Sequence, residues 1–303
     1  MPTKKPSPAL DLQNVRREID QIDDAIQDLL MKRTELVVEV AAAKAQAASA
    51  AGEASFIAFR PDREADVLRR LAGRQKGPLS LKVVFRLFRE IIATMTRIQG
   101  PFRVDVYGAD NVLAYWDLAR NYYGSSTPME LHDNAREILR RTDQDSSVVG
   151  ILPQPGNYAG GDWWPALAMS GGQTGGAGTV RIVARLPFLE IANEDNEPTA
   201  LVVTQAAYEP TGNDTSLLVV SASSDISEAA IATRVKAAGF IAERIGVTQT
   251  KDGGASRHNL FAVQSYVAVD DPRVTALLAD GLAERAVVIG GYANPVLCAK
   301  DGE

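Results

Sequence analysis

Arg33 and Lys44, two cations eleven residues apart, are the first side chains in this sequence that invite a chemical reading. Eleven residues make three turns of α-helix with about 20° left over, so both project from one face, roughly 16 Å apart along the axis. Leaning together over that gap, two long cationic side chains can grip a small ligand that carries more than one carboxylate. Arg33 also stands between Leu29 and Leu36, where the surrounding pattern is apolar, and a buried unpaired guanidinium is costly. An interhelical ion pair or a polar register-setting residue would also explain it; Lys44 on the same face shifts the balance toward a ligand. Arg16 is rotated from Arg33 by about 100° and displaced by roughly 25 Å. It reaches the same small ligand only from an antiparallel partner subunit, and is otherwise a solvated surface residue.

Three more polar residues stand where helices would hold them. Gln99 lies four residues after Met95 on an apolar stripe, where an amide needs hydrogen-bond partners and can donate to a ligand oxygen. Arg63 and Glu64 open a helix. The helix dipole favours a carboxylate there, which accounts for Glu64 as readily as a ligand does. Arginine gains nothing from that end of the dipole, so Arg63 asks for a ligand or an acidic neighbour.

The elements that must position these residues follow from apolar spacing. Val15, Ile19, Ile22, Ile26, Leu29, Leu36 and Val40 recur in steps of four and three, which predicts one long helix from residue 12 to about 50 with a heptad seam and a stop at Gly52. Such a helix is roughly 57 Å long, beyond the diameter of a hundred-residue domain. It needs a partner along its length, most simply the same helix of a second subunit. A shorter helix starts near Pro61 and Asp62 and runs past Leu71, and a third carries Leu81, Val84, Phe85, Phe88, Ile91, Ile92, Met95 and Ile98 before Gly100-Pro101. From Arg103 short apolar runs alternate with helical segments in an α/β layout. Residues 215–293 read as strand, helix, strand, strand, helix, strand, the ferredoxin-like βαββαβ order. Residues 156–178 hold eight glycines and two tryptophans; they read as a flexible loop, or as backbone that cradles an anion.

Composition narrows the function classes. The 303 residues are 46% hydrophobic and 23% charged, a globular balance. Residues 1–100 hold 17 basic and 13 acidic residues, +4, while residues 101–303 hold 15 and 25, −10, which together give the chain's −6. A locally basic segment in an acidic chain suits a small anionic ligand better than nucleic acid. No run of eighteen apolar residues and no apolar signal region occur, so a cytoplasmic protein without membrane contact is expected. Cys298 is alone and is expected to be inert. His132 and His258 lack ligand-spaced neighbours in sequence, so no metal is expected.

Val15-Arg16-Arg17-Glu18-Ile19-Asp20-Gln21-Ile22-Asp23, Lys32-Arg33-Thr34-Glu35-Leu36, Ala43-Lys44, Arg63-Glu64-Ala65-Asp66-Val67-Leu68, and Phe88-Arg89-Glu90-Ile91-Ile92 leading to Gln99 resemble, in this order, the all-helical chorismate mutase family. The resemblance covers about 90 residues. It implies a three-helix domain over 12–100 in an intertwined homodimer joined through the long first helix. It implies that Arg33 and Arg63, with Arg16 from the partner, hold the carboxylates of chorismate. Lys44 and Gln99 would approach the ether oxygen and Glu64 the ring hydroxyl, with no cofactor. The activity implied is isomerisation of chorismate to prephenate in aromatic amino-acid (phenylalanine and tyrosine) biosynthesis, downstream of the shikimate pathway. This sequence departs from the pattern in having about seven extra residues between Lys44 and Arg63, and in Arg60 and Met95, where an acidic and a small hydroxyl residue are common.

The remainder resembles, in part, a chorismate mutase–prephenate dehydratase fusion. Val148-Val149-Gly150-Ile151-Leu152-Pro153 is similar to a dehydratase strand. Thr199 matches the threonine of the catalytic Thr-Arg-Phe motif, but Ala200 and Leu201 replace the arginine and phenylalanine. The expected layout is a tail over 1–11, the mutase domain over 12–100, a reduced dehydratase-like α/β region over 101–212, an ACT-like domain over 213–296 and a tail over 297–303. In the ACT-like unit, Ser224-Asp225-Ile226-Ser227 and Gln249-Thr250-Lys251 replace motifs usual there. Alternatives to a monofunctional mutase are a bifunctional mutase–dehydratase, a non-catalytic amino-acid-binding regulatory protein and a relative that acts on isochorismate.

Overall fold

The computed structural model describes residues 12–50, 56–109, 111–156, 162–169, 178–192, 198–249 and 256–298. The tail expected over 1–11, most of the glycine-rich segment 156–178, Thr250-Lys251 and residues 299–303 lie outside them. Two compact units are formed, residues 1–56 and 57–303.

The first unit is built on one helix, α1 (Leu12–Ala50), without glycine or proline in its 39 residues. Its expected seam is open in the single chain. Ile19, Ile22, Ile26, Leu29, Leu36 and Val40 are 47–66% exposed, and Ala48 is its one buried residue.

The second unit begins with α2 (Pro61–Arg74) and α3 (Leu81–Gln99). Proline at the first position of α2 surrenders an N–H that would be unsatisfied anyway. Ser80 caps α3 by accepting from the Val83 N–H, and Gly100-Pro101 ends it. The next elements are β1 (Arg103–Tyr107), α4 (Val112–Tyr123), β2 (Met129–His132), α5 (Ala135–Gln144) and β3 (Val148–Pro153). After α6 (Pro165–Met169) come β4 (Arg181–Leu186), β5 (Leu189–Ile191) and β6 (Ala200–Thr204). The chain ends with β7 (Asp214–Ser223), α7 (Glu228–Ala237), β8 (Ala242–Gln249), β9 (Ser256–Val263), α8 (Pro272–Ala276), β10 (Arg285–Ala293) and β11 (Val296–Cys298).

Nine of these strands form one sheet in the order β2-β1-β3-β6-β4-β10-β7-β9-β8. The last four, β10-β7-β9-β8, have the antiparallel order of a ferredoxin-like βαββαβ unit, as expected from the sequence. Residues 57–303 pack as one compact unit. Phe59, Leu68, Phe85 and Ile92 from the α2–α3 region share a core with Val104, Leu118, Tyr122 and Val202. The two halves of the sheet meet at a single register pair, Gly290 with Ile182. Gly290 has φ +117°, and a Cβ there would lie 2.1 Å from the Ile182 carbonyl oxygen, so only glycine permits this approach. Trp163 and Trp164, from the glycine-rich segment, are fully buried under the sheet with Leu217 and Val219.

Candidate active site

α1 sets the first three candidates. Arg16 is exposed, whereas Arg33 and Lys44 are half-buried. The Arg33 Nη1 is buried without a hydrogen-bond partner, and burial holds this guanidinium below its ordinary range. A donor in that state lacks an acceptor that a ligand carboxylate supplies. Lys44 Nζ lies 5.6 Å from the centroid of the Phe56 ring, within cation–π range.

In α2, successive side chains point about 100° apart, and the two candidates there divide accordingly. Arg63 is exposed; Glu64 is buried. Glu64 Oε2 accepts a 2.7 Å hydrogen bond from Arg89 Nη1, and both side chains are almost entirely out of water, 6% and 4% exposed. Arg89 Nε donates to the Tyr122 carbonyl at 2.7 Å, and its guanidinium carbon lies 3.4 Å from the Tyr122 ring centroid. Burial raises the Glu64 carboxyl above its ordinary range while Arg89 opposes the shift. Burial likewise pushes the Tyr122 hydroxyl up to about 12, so it stays protonated. Glu64, which the resemblance assigned to a substrate hydroxyl, thus has its Oε2 bonded to Arg89, and through Arg89 this pair joins α2, α3 and α4. Sequence reasoning gave Arg89 no role, although its place on the Phe85–Ile92 stripe, four residues after Phe85, was a signal of the same kind as Arg33. Gln99 is half-buried, and its Nε2 donates to the Met95 carbonyl at 3.4 Å.

Further bonds hold this pair of helices on the α/β body. Arg69 donates to Thr211 Oγ1 and to the Asn213 and Asn294 carbonyls at 2.6–3.0 Å. Glu90 accepts from the Ser125 N–H and hydroxyl, and Arg97 donates to the Ser126 carbonyl.

Among the described residues, metal-ligating residue types meet at one place. β1 and β2 run parallel with Asp105 opposite Glu130, which puts Asp105, Glu130 and His132 on one face, a neighbourhood invisible in the sequence. Arg141 already bridges both carboxylates, at 2.6 Å to Asp105 and 2.7 Å to Glu130, and Arg103 lies 3.8 Å from Asp105. The Arg141 guanidinium thus already stands between the two carboxylates as their counter-ion.

Apart from Glu64, whose carboxylate is paired with Arg89, the candidates are cations and hydrogen-bond donors, residue types that can bind carboxylates and stabilise developing negative charge. Residues 15–100 match the family model described as chorismate mutase type II. They are a chorismate mutase type II domain. The chain is 33% identical over 149 residues to the bifunctional chorismate mutase/prephenate dehydratase of Stutzerimonas stutzeri, covering 48% of this chain and 40% of that protein. The enzyme of the same description from Pseudomonas aeruginosa is 32% identical over 145 residues, 47% and 38% of the two chains. The chain therefore spans about two fifths of the length of these curated relatives. Among solved structures, prephenate dehydratases from Streptococcus mutans and Staphylococcus aureus align with TM-scores of 0.44 and 0.46 at 12% identity, over 65% and 63% of this chain and all of theirs. A quorum-quenching acylase aligns at 0.46 with 14% identity, over 63% of this chain and 94% of its own.

Proposed function

We propose that the mutase domain converts chorismate to prephenate. The match of residues 15–100 to the family carries this reading, and the residues it requires are all present. The reaction breaks one C–O bond and makes one C–C bond within a single molecule, so it needs neither nucleophile nor cofactor. The protein must select the diaxial conformer and stabilise negative charge on the ether oxygen as it forms. Arg33 and Arg63 hold the substrate carboxylates, and Arg16 is lent by a second copy of the chain. Lys44 and Gln99 serve the ether oxygen. Glu64 we assign to positioning, since its ion pair with Arg89 fixes the first turn of α2 and so the base of Arg63.

The homodimer belongs to the same proposal. The exposed seam of α1 supports it, since isoleucines and leucines at heptad spacing bury most simply against an antiparallel copy of themselves. The carboxy-terminal βαββαβ unit we read as ACT-like, a regulatory module on the ferredoxin-like plan.

A second reading, the bifunctional mutase–dehydratase, is favoured by the description of the curated relatives and by Thr199, whose hydroxyl donates to Gln154 Oε1 at 2.5 Å. Against it, Ala200 and Leu201 are buried in β6 in place of the motif's arginine and phenylalanine. One experiment separates the readings: loss of chorismate absorbance followed by analysis of products. Prephenate alone supports the monofunctional mutase, phenylpyruvate supports the bifunctional enzyme, and no turnover of chorismate refutes both.

A further inference from the structure

Arg69 stands on α2 six residues after Arg63 and is half-buried. Its Nη1 donates to Thr211 Oγ1 at 2.6 Å, and its Nη2 donates to the Asn213 and Asn294 carbonyls at 2.7 and 3.0 Å. These acceptors come 142, 144 and 225 residues later in the chain. The guanidinium carbon also lies 5.8 Å from the centroid of the Phe188 ring, within cation–π range. The seat that receives Arg69 is itself braced. Asn213 and Asn294 flank the end of the β7–β10 ladder, where Asp214 opposes Ala293. Asn294 donates to Asn213 through its main-chain N–H at 2.9 Å and its side-chain amide at 2.8 Å, and its Oδ1 accepts from Thr215 Oγ1 at 2.7 Å. Thr211 is fixed by the buried Asp214 carboxylate, which accepts from its N–H and its hydroxyl at 2.8 and 2.7 Å.

Helix geometry turns this clasp into control of Arg63. Successive residues of an α-helix point about 100° apart and rise about 1.5 Å. Glu64 and Arg69 are therefore about 7.5 Å apart along the axis of α2 and about 140° apart around it, and Arg63 projects from the remaining side. A helix held at one point can still pivot and roll. Two anchors on different sides, separated along the axis, fix both its tilt and its rotation. Glu64 is the first anchor, through its ion pair with Arg89. Arg69 is the second, and it fastens α2 to the βαββαβ strands.

We infer that Arg69 is a positioning residue for the chorismate rearrangement: by clasping α2 to the end of the β7–β10 ladder it sets the direction of Arg63, and so makes substrate capture depend on the carboxy-terminal strands. The inference rests on the mutase reading, in which Arg63 holds a substrate carboxylate.

Steady-state kinetics of chorismate consumption by the full chain and its variants test it. Arg69→Ala is expected to raise KM about tenfold with kcat changed less than about threefold, the pattern of weakened binding shared by ground and transition states. Arg69→Lys keeps the charge but loses the planar fork, and its KM is expected to fall between the two. In an Arg63→Ala background, Arg69→Ala is expected to change kcat/KM less than about twofold, because Arg69 acts through Arg63. An unchanged KM in Arg69→Ala, a fall confined to kcat, or the full tenfold effect persisting without Arg63 would overturn the inference. If circular dichroism shows Arg69→Ala unfolded, Arg69→Lys and Thr211→Val decide: each is expected to raise KM at least about twofold, and a wild-type KM in both overturns the inference. Absence of turnover by the unaltered chain would instead refute the mutase reading, so the two failures are told apart.

Discussion

Arg89→Met is the most informative single change, because it separates the structural work of Glu64 from substrate contact. Methionine keeps the stem volume on α3 but removes the 2.7 Å bonds to Glu64 and to the Tyr122 carbonyl, and the contact with the Tyr122 ring. Glu64 is 5% exposed and is then left as an uncompensated buried carboxylate. Breaking a buried pair from one side costs about 3–5 kcal/mol. Glu64→Gln, which leaves Arg89 with a neutral acceptor, is expected to cost less, about 1–3 kcal/mol. In the double variant Arg89→Met/Glu64→Gln no charge is stranded, so its destabilisation should fall short of the sum of the singles by at least about 1 kcal/mol, as contacting residues in one network do. Urea unfolding followed by tryptophan fluorescence measures all four corners of this cycle. Additivity within about 0.5 kcal/mol would show the two side chains to be energetically independent and refute the positioning role given to Glu64.

Four further outcomes are expected. Lys44→Ala should lower chorismate turnover by about 10²–10³, the loss typical of one donor to a developing oxyanion, with circular dichroism unchanged; near-normal activity would sink the assigned mechanism. Ile26→Asp places a charge on the exposed seam of α1 and should shift the chain from dimer to monomer in sedimentation, with turnover falling in step because Arg16 is then absent from the site. Gly290→Ala meets both a positive φ and a backbone oxygen 2.1 Å from the new Cβ, and should cost at least about 2 kcal/mol in urea unfolding, whereas Gly281→Ala, with φ +73° and nothing within 4 Å, should cost less.

The last concerns pH. Burial holds the His258 imidazole below its ordinary range, with Glu284 opposing and Arg285 reinforcing, and its Nδ1 lies 2.7 Å from Ser221 Oγ. The folded state thus takes up the proton less readily than the unfolded chain, so this contribution to stability is present above the unfolded value near 6.5 and declines as pH falls through the lower folded value. His258→Gln should flatten the fall in unfolding free energy below pH 6.5, and an unchanged slope would show that the imidazole does not titrate in this way.

The helices and their ends were legible in the sequence because they rest on neighbours three and four residues apart. Heptad spacing located α1, Gly100-Pro101 ended α3, and the motifs on these helices carried the family resemblance. The same is true of the βαββαβ order, since alternation and turn residues are local signals. The cations of α1 were visible for a related reason: a charge on an apolar stripe violates a local pattern.

What only the tertiary structure decided depends on residues far apart in the chain. Glu64 reads as a dipole-favoured first-turn carboxylate until Arg89, 25 residues on, and the Tyr122 carbonyl are brought against it. His132 appears isolated until the β1–β2 register sets it beside Asp105 and Glu130. The joining of β10 to β4 in one sheet is likewise a tertiary matter, since Gly290, lacking a Cβ, allows the close approach to Ile182. Arg33 remains the clearest feature of all, a guanidinium that the sequence places on a stripe meant for leucine. Its spacing from Lys44 was set by helix geometry alone, whereas the buried, unpartnered state of its Nη1 emerged only when the chain folded.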